Sequence, residues 1–238
     1  MEASDTNNFC KMCGEPRKGD YCYKCGQSFA IQRLTLKGIF HEAFHYFTHL
    51  DNAFPYTIKQ LILSPGNMQR EYVNGIRKKY QKPFSMFFIC ASFAALSLYL
   101  INLSLVKYFG TGDSEEALFF HKYWVLLQVC MFPVFATITY LFFNNKQYNY
   151  AEIMILQLYT FSFIFLILTV IHLFKYIAPH LQTRYIELPV FVLYTIFTNV
   201  FFFNKSSRLA TITKSILIIT INFFLATALQ DILVECFM

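Results

Sequence analysis

Cys10-Lys-Met-Cys13-Gly14 and Cys22-Tyr-Lys-Cys25-Gly26 are the residues of this chain best equipped for chemistry. The two-residue gap lets both sulfurs of a pair face one side of a tight turn. The glycine after the second cysteine tolerates the positive φ that such a turn needs and leaves backbone N–H groups free to approach the thiolates. Four thiolates at about 2.3 Å make a closed tetrahedral zinc site. Redox dithiols, or a metal other than zinc, are the alternatives the spacing leaves open. The stretch between the pairs, Gly14 to Tyr21, contains Pro16 and Gly19 and predicts a short hairpin. It is shorter than the usual ribbon spacing of about fifteen to twenty residues. A closed site has no position for substrate, so its zinc is expected to stabilise folding and not to react. A head of about thirty residues buries little core, which makes the metal its expected source of stability. Zinc-bound thiolates also call for a reducing compartment, which puts the head in the cytosol. Cys90, Cys130 and Cys236 are scattered and read as inert fillers of helix faces.

A second group, His41-Glu42-Ala43-Phe44-His45, spells the HExxH of zinc metalloproteases, with His41 and His45 as ligands and Glu42 as general base. The pattern is only five residues long, and no third carboxylate ligand follows on a later helix. A non-catalytic second metal site would draw on His41, His45, His49 and Asp51. His49 lies about 12 Å along the helix axis from His41, too far for a straight helix to bring all three histidines to one ion. The remaining reading is an ordinary polar helix face. The enzyme question therefore stays open and leans towards no enzyme.

These residues need elements to position them. Thr35 can cap a helix running through Leu50, with Leu36, Ile39, Phe40, Ala43, Phe44, Phe47 and Leu50 on one side and the histidines nearly opposite. Pro55 and Thr57 can begin a second helix, Ile58 to Leu63, which Pro65-Gly66 ends. Asn67 can cap a third, with Met68, Tyr72, Val73, Ile76 and Tyr80 as its apolar residues. Arg70, Arg77, Lys78, Lys79 and Lys82 then form a basic belt, read either as a lipid-headgroup contact or as a simple topology determinant.

Phe84 to Val106 carries no Asp, Glu, Lys, Arg or His, and as a helix it would extend roughly 34 Å, enough to cross a bilayer. Further spans read as Tyr123 to Phe143, Ile153 to Phe174, Ile186 to Phe203 and Ile212 to Val234. Only 14% of the 238 residues are charged, against about a quarter in soluble domains, while 56% are hydrophobic. Twelve of the twenty Lys and Arg residues precede Pro83. A net charge of +6 gathered beside a membrane favours anionic lipids over nucleic acid. The start, MEASDTNNFC, has no basic region followed by an apolar one, so no cleavable signal peptide is expected.

The reading is an all-α integral membrane protein of about five transmembrane helices. Residues 1–33 form a zinc ribbon or knuckle, 34–83 amphipathic basic juxtamembrane helices and 84–238 the five-span bundle. With the head inside, the cytosolic side also carries Lys146, Lys205, Arg208 and Lys214, in agreement with the positive-inside rule. The expected location is the cytoplasmic (inner) membrane, with a cytosolic N-terminus and the C-terminus outside. Polar residues within the spans, among them Gln157, His172, Asn199 and Asn222, read as interhelical hydrogen-bond partners. No buried Glu–His or Asp–Lys chain is expected to mark an ion path.

Several residues in fixed order carry a resemblance: Cys25-Gly26-Gln27, the spaced His41, His45, His49 and Asp51, then Phe54, Thr57, Leu61, Pro65-Gly66, Glu71-Tyr72, Gly75, Arg77 and Pro83. Over roughly residues 10 to 84 the chain resembles the bacterial integral membrane proteins carrying domain of unknown function 3667. The resemblance implies a zinc-ribbon head on a multi-span membrane protein, with no established activity. In that family the position of Glu42 can hold Asp, which weakens the protease reading. Ala53 and Ile76 depart from the expected Gly and Lys. The leading expectation is a non-enzymatic docking module for a protein partner, a second copy of the chain or anionic lipid. The alternatives are a metal-dependent membrane enzyme using His41, Glu42 and His45, and a channel or transporter.

Overall fold

Two prolines set helix starts on the approach to the apolar half. Pro55 lies in the first turn of α1 (Phe54–Leu63), and Pro83 is the first residue of α3 (Pro83–Phe109). Both are positions where a missing backbone N–H costs nothing. In the computed structural model, residues 9–30, 33–36, 38, 53–110, 131–143 and 147–237 are described, with side chains through Leu229. α1 thus begins four residues before the expected Ile58, because proline opens the helix and does not merely precede it. Between them α2 (Asn67–Val73) is shorter than its sequence pattern. Gly75, at φ 104°, breaks it, so Ile76 and Tyr80 lie in a loop and not on the helix. Asn67 is the first helical residue and Gly66 the cap, its N–H donating to Gln69 Oε1.

The remaining helices are α4, described over Met131–Phe142, α5 (Tyr150–Leu173), α6 (Arg184–Phe202) and α7 (Arg208–Phe237). Among the described residues four helices are long and apolar enough to cross a membrane: α3, α5 with the short 3-10 turn to Tyr176, α6, and α7 to Leu229. The expected span Tyr123 to Phe143 begins in residues outside the described set, as does the helix from Thr35 to Leu50 beyond its first turn. In that first turn Gly38 N–H donates to Thr35 Oγ1 at 3.2 Å, the capping contact expected of Thr35.

α5 is the centre, buried on nearly every side along its first half. α3 lies along it through Met86, Phe87, Cys90, Ala91, Ala94 and Leu98, whose spacing of three and four residues marks one helix face. Cys90, Ala91 and Ala94 are fully buried there, small residues that let the helices approach where glycine is absent. The opposite face, with Phe93, Leu96, Tyr99 and Leu103, is exposed and apolar. Hydrogen bonds join neighbouring helices, Gln157 Nε2 to Thr139 Oγ1 at 2.8 Å and Asn199 Nδ2 to Ser215 Oγ at 3.0 Å. His172 Nδ1 stands 3.4 Å from Glu187 Oε1 where the α5–α6 connection closes, a Glu–His pair at the helix ends.

α1 and α2 fold back onto the end of the bundle, both against α5 and α2 also against α6. Gly66 makes this approach possible. Its φ is +80°, and a Cβ there would lie 2.3 Å from the Thr198 carbonyl oxygen and 2.8 Å from Phe202 N. Thr57, fully buried, donates to Ala53 O and accepts from Gln81 N–H, both at 2.8 Å, tying α1 to the start of α3. Ala53 itself has φ −75°, a conformation open to any residue, so alanine is unstrained there.

Candidate metal centre and the surface around it

Each cysteine pair is held by the same backbone pattern, repeated twelve residues on. Cys10 N–H donates to Glu15 O at 2.7 Å and Gly14 N–H to Cys10 O at 2.8 Å; Cys22 N–H donates to Gln27 O at 2.9 Å and Gly26 N–H to Cys22 O at 2.7 Å. Gly14 and Gly26 have φ 76° and 67°, the left-handed conformation that the turn requires. The strand-like bridges pair Phe9 with Pro16 and Tyr21 with Ser28. The hairpin expected between the cysteine pairs is thus replaced by one around each pair, because each Cys-x-x-Cys turn supplies its own reversal.

The four sulfurs converge. All lie within 4.8 Å of one another, with Cys10 Sγ 3.5 Å from Cys25 Sγ and Cys13 Sγ 3.5 Å from Cys22 Sγ, and all four cysteines are free. Tetrahedral bonds of about 2.3 Å place sulfurs roughly 3.8 Å apart, so this group could hold a metal ion. The crowding also shapes the thiols. The Cys25 and Lys24 backbone N–H groups, with the neighbouring thiols, pull Cys22 down to about 6. At Cys13 the Glu15 backbone N–H acts downwards, but burial and the other three thiols push it up to about 12. One negative charge suppresses the next, which is the condition a dication relieves.

The head is fastened to the rest of the protein at the loop 74–82. Gln27, 6% exposed, donates from Nε2 to Gly75 O at 3.2 Å and accepts at Oε1 from Lys78 N–H at 3.3 Å. Lys11 Nζ reaches Asn74 O at 3.3 Å. Beyond the head, Arg33 forms a two-pronged ion pair with Glu152, Nε to Oε1 at 3.0 Å and Nη2 to Oε2 at 3.1 Å, and Asn149 Nδ2 donates to Leu34 O at 2.9 Å. Glu152 is 4% exposed and closes a capping box with Asn149 at the start of α5.

The basic belt has mixed partners. Lys79 Nζ lies 2.7 Å from Glu71 Oε2, which also accepts from Tyr80 OH at 2.8 Å. Burial alone would raise the Glu71 carboxyl, but these two donors outweigh it and hold the group below the ordinary carboxylate range. Arg70 donates to Phe201 O at 3.0 Å and to Asn67 Oδ1 at 2.8 Å. Arg77 lies over the Tyr72 ring, which meets Tyr159 edge-on. Lys78 is exposed, and Lys82 occupies the cap position of α3. His41, Glu42, His45, His49 and Asp51 lie outside the described residues.

Sequence reasoning missed Glu152, Arg33 and the contact surface of Gly66. Asn149-x-x-Glu152 before an apolar run is a legible capping box. Nothing local signals an ion pair 119 residues apart.

No curated protein and no solved structure matches the chain. The matched family covers α1, α2, the loop 74–82 and the first turns of α3, the part in which Thr57, Gly66, Glu71 and Tyr72 make the contacts described above, while the cysteine head lies before it. Residues 51–94 match the family described as Protein of unknown function (DUF3667).

Proposed function

We propose that this is a five-span membrane protein whose zinc-stabilised head docks a partner at the cytosolic surface, without catalysis of its own. The observation that carries the reading is the clamp of Gln27 and Lys11 on the loop 74–82. It joins a closed four-thiol head to the basic belt as one continuous surface. On this surface Lys78 and its neighbours take anionic lipid headgroups. Phe9 and Tyr21, equivalent positions before the two cysteine pairs, are 63% and 68% exposed, with Tyr23 at 65% beside them. Aromatic groups bared next to a structural metal suit a protein partner.

Metal content of the full-length protein tests the head. One zinc per chain is expected, lost in Cys10→Ser and kept in His41→Ala/His45→Ala. A second ion lost in the histidine variant would favour the membrane enzyme. For the lipid role, native mass spectrometry should show less retained phosphatidylglycerol in Lys78→Ala/Lys79→Ala/Lys82→Ala than in the wild type; equal retention refutes it.

A carrier is the second reading, favoured by one feature of the bundle. An apolar cavity of about 470 Å³ lies between α4, α5, α6 and α7, walled by Phe135, Phe161, Phe165, Phe191 and Phe223. Beside it Asn222 Oδ1 and Thr195 Oγ1 are buried without hydrogen-bond partners among the described residues. Solute flux in proteoliposomes would support this reading, and its absence across several solutes would remove it.

A further inference from the structure

Four separate segments meet at the head-side end of the bundle. Arg33 comes from the linker after the head, Arg70 and Asn74 from the end of α2, Gln147 from the turn before α5, and Asn204 and Lys205 from the turn between α6 and α7. They enclose an open cavity of about 460 Å³ whose lining is mostly polar, floored by Tyr148 and Val73. Among the described residues, three cations face a single carboxylate, Glu152, which is already held by Arg33. The surplus is therefore two positive charges in one recess.

The cations are arranged to receive a ligand. Arg33 gives Nε and Nη2 to Glu152 and Gln147 O. Arg70 gives Nη1 to Phe201 O and Nη2 to Asn67. Each guanidinium has five N–H donors, so these contacts fix its place without exhausting it. Lys205 is exposed and has no ion-pair partner among the described residues. The side chains of Asn74 and Asn204 also line the recess. A recess with excess positive charge, planar forks and surplus N–H groups matches an anion with several acceptor oxygens.

We propose that this cavity binds a phosphate group, held by Arg33, Arg70 and Lys205. The proposal rests on the lipid-docking reading above and gives it a definite site, distinct from the Lys78–Lys82 belt. A phosphate in this position comes either from the headgroup of a lipid in the adjoining leaflet or from a soluble phosphate. The lipid source is favoured, because Glu152 in the cavity wall stands in the first turn of a membrane-length helix.

The test uses the full-length protein in a neutral maltoside detergent. Phosphatidic acid is titrated by native mass spectrometry, and sodium phosphate and glycerol 3-phosphate by calorimetry. One saturable phosphatidic acid per chain is expected, with affinity reduced about tenfold or more in Lys205→Glu, the effect of losing one charge-assisted hydrogen bond. Arg70→Gln should act in the same direction. Because Arg70 also holds Phe201 and Asn67, the exposed Lys205 is the deciding position. Saturation by soluble phosphate with the same loss in Lys205→Glu upholds the site and assigns it the soluble source. Absence of saturable binding from either source, or binding that Lys205→Glu leaves unchanged, overturns the proposal. Loss confined to Lys78→Ala/Lys79→Ala/Lys82→Ala overturns this site while leaving the docking reading intact.

Discussion

Replacing Gln27 by alanine should separate the head from the loop beneath it while leaving the metal centre whole. The side chain is 6% exposed and bridges the two parts with a hydrogen bond to Gly75 O and another from Lys78 N–H. Truncation removes both. The Gly75 carbonyl is left buried without that donor, a penalty of about 1–3 kcal/mol, and the Lys78 bond adds about 0.5–1.5 kcal/mol, softened because water reaches Lys78. The sum, about 1.5–4.5 kcal/mol, raises the population of the undocked head roughly tenfold at its lower bound. Hydrogen exchange read by mass spectrometry on the detergent-solubilised protein checks this. Amides of residues 75–80 should exchange at least tenfold faster, whereas Gly14 and Gly26, bonded within their own turns, keep their protection. Zinc content should not change. If the loop amides exchange at the wild-type rate in Gln27→Ala, the clamp is not what fastens the head, and the continuous surface loses its support.

Gly66→Ala should destabilise the protein by about 2–5 kcal/mol, combining left-handed strain with backbone-on-backbone overlap that no side-chain motion relieves; a melt within error of wild type would contradict the packing of α2 on α6. Glu71 is held below its ordinary value, so its contribution is complete above about pH 4.5 and is lost as the pH falls through the folded-state value. Melting temperature should accordingly be flat near neutrality and drop in acid, and Glu71→Gln should remove that acid-dependent part of the drop. Asn149→Ala removes the cap of α5 and the bond to Leu34 O, for a loss of about 1–2 kcal/mol in chemical denaturation.

Much of the architecture was legible because it depends on short-range rules. The gap of two residues between cysteines, with glycine after each pair, anticipates the turns that bring the thiols together, and the long apolar runs anticipate α3, α5, α6 and α7. Local pattern also misleads in two places. Ile76 and Tyr80 continue the apolar period of α2, whereas Gly75 ends the helix with a positive φ. Loop composition favours a turn between the cysteine pairs, whereas the backbone bonds close around each pair.

The sequence by itself determined the composition of the two halves: a thiol-rich basic front and a membrane-length apolar rear. Spacing along one chain and hydrophobic length are properties of neighbours, and they survive any particular packing. Only the tertiary structure decided that Gln27 reaches the loop 74–82, that Gly66 lies against the last turns of α6, and that Arg33 pairs with Glu152. Helices that are apolar around most of their circumference carry little information about which sides meet. Contacts spanning 48 to 131 residues were therefore fixed by the fit of side chains between helices, and the polar recess at the head-side end exists only once that fit is made.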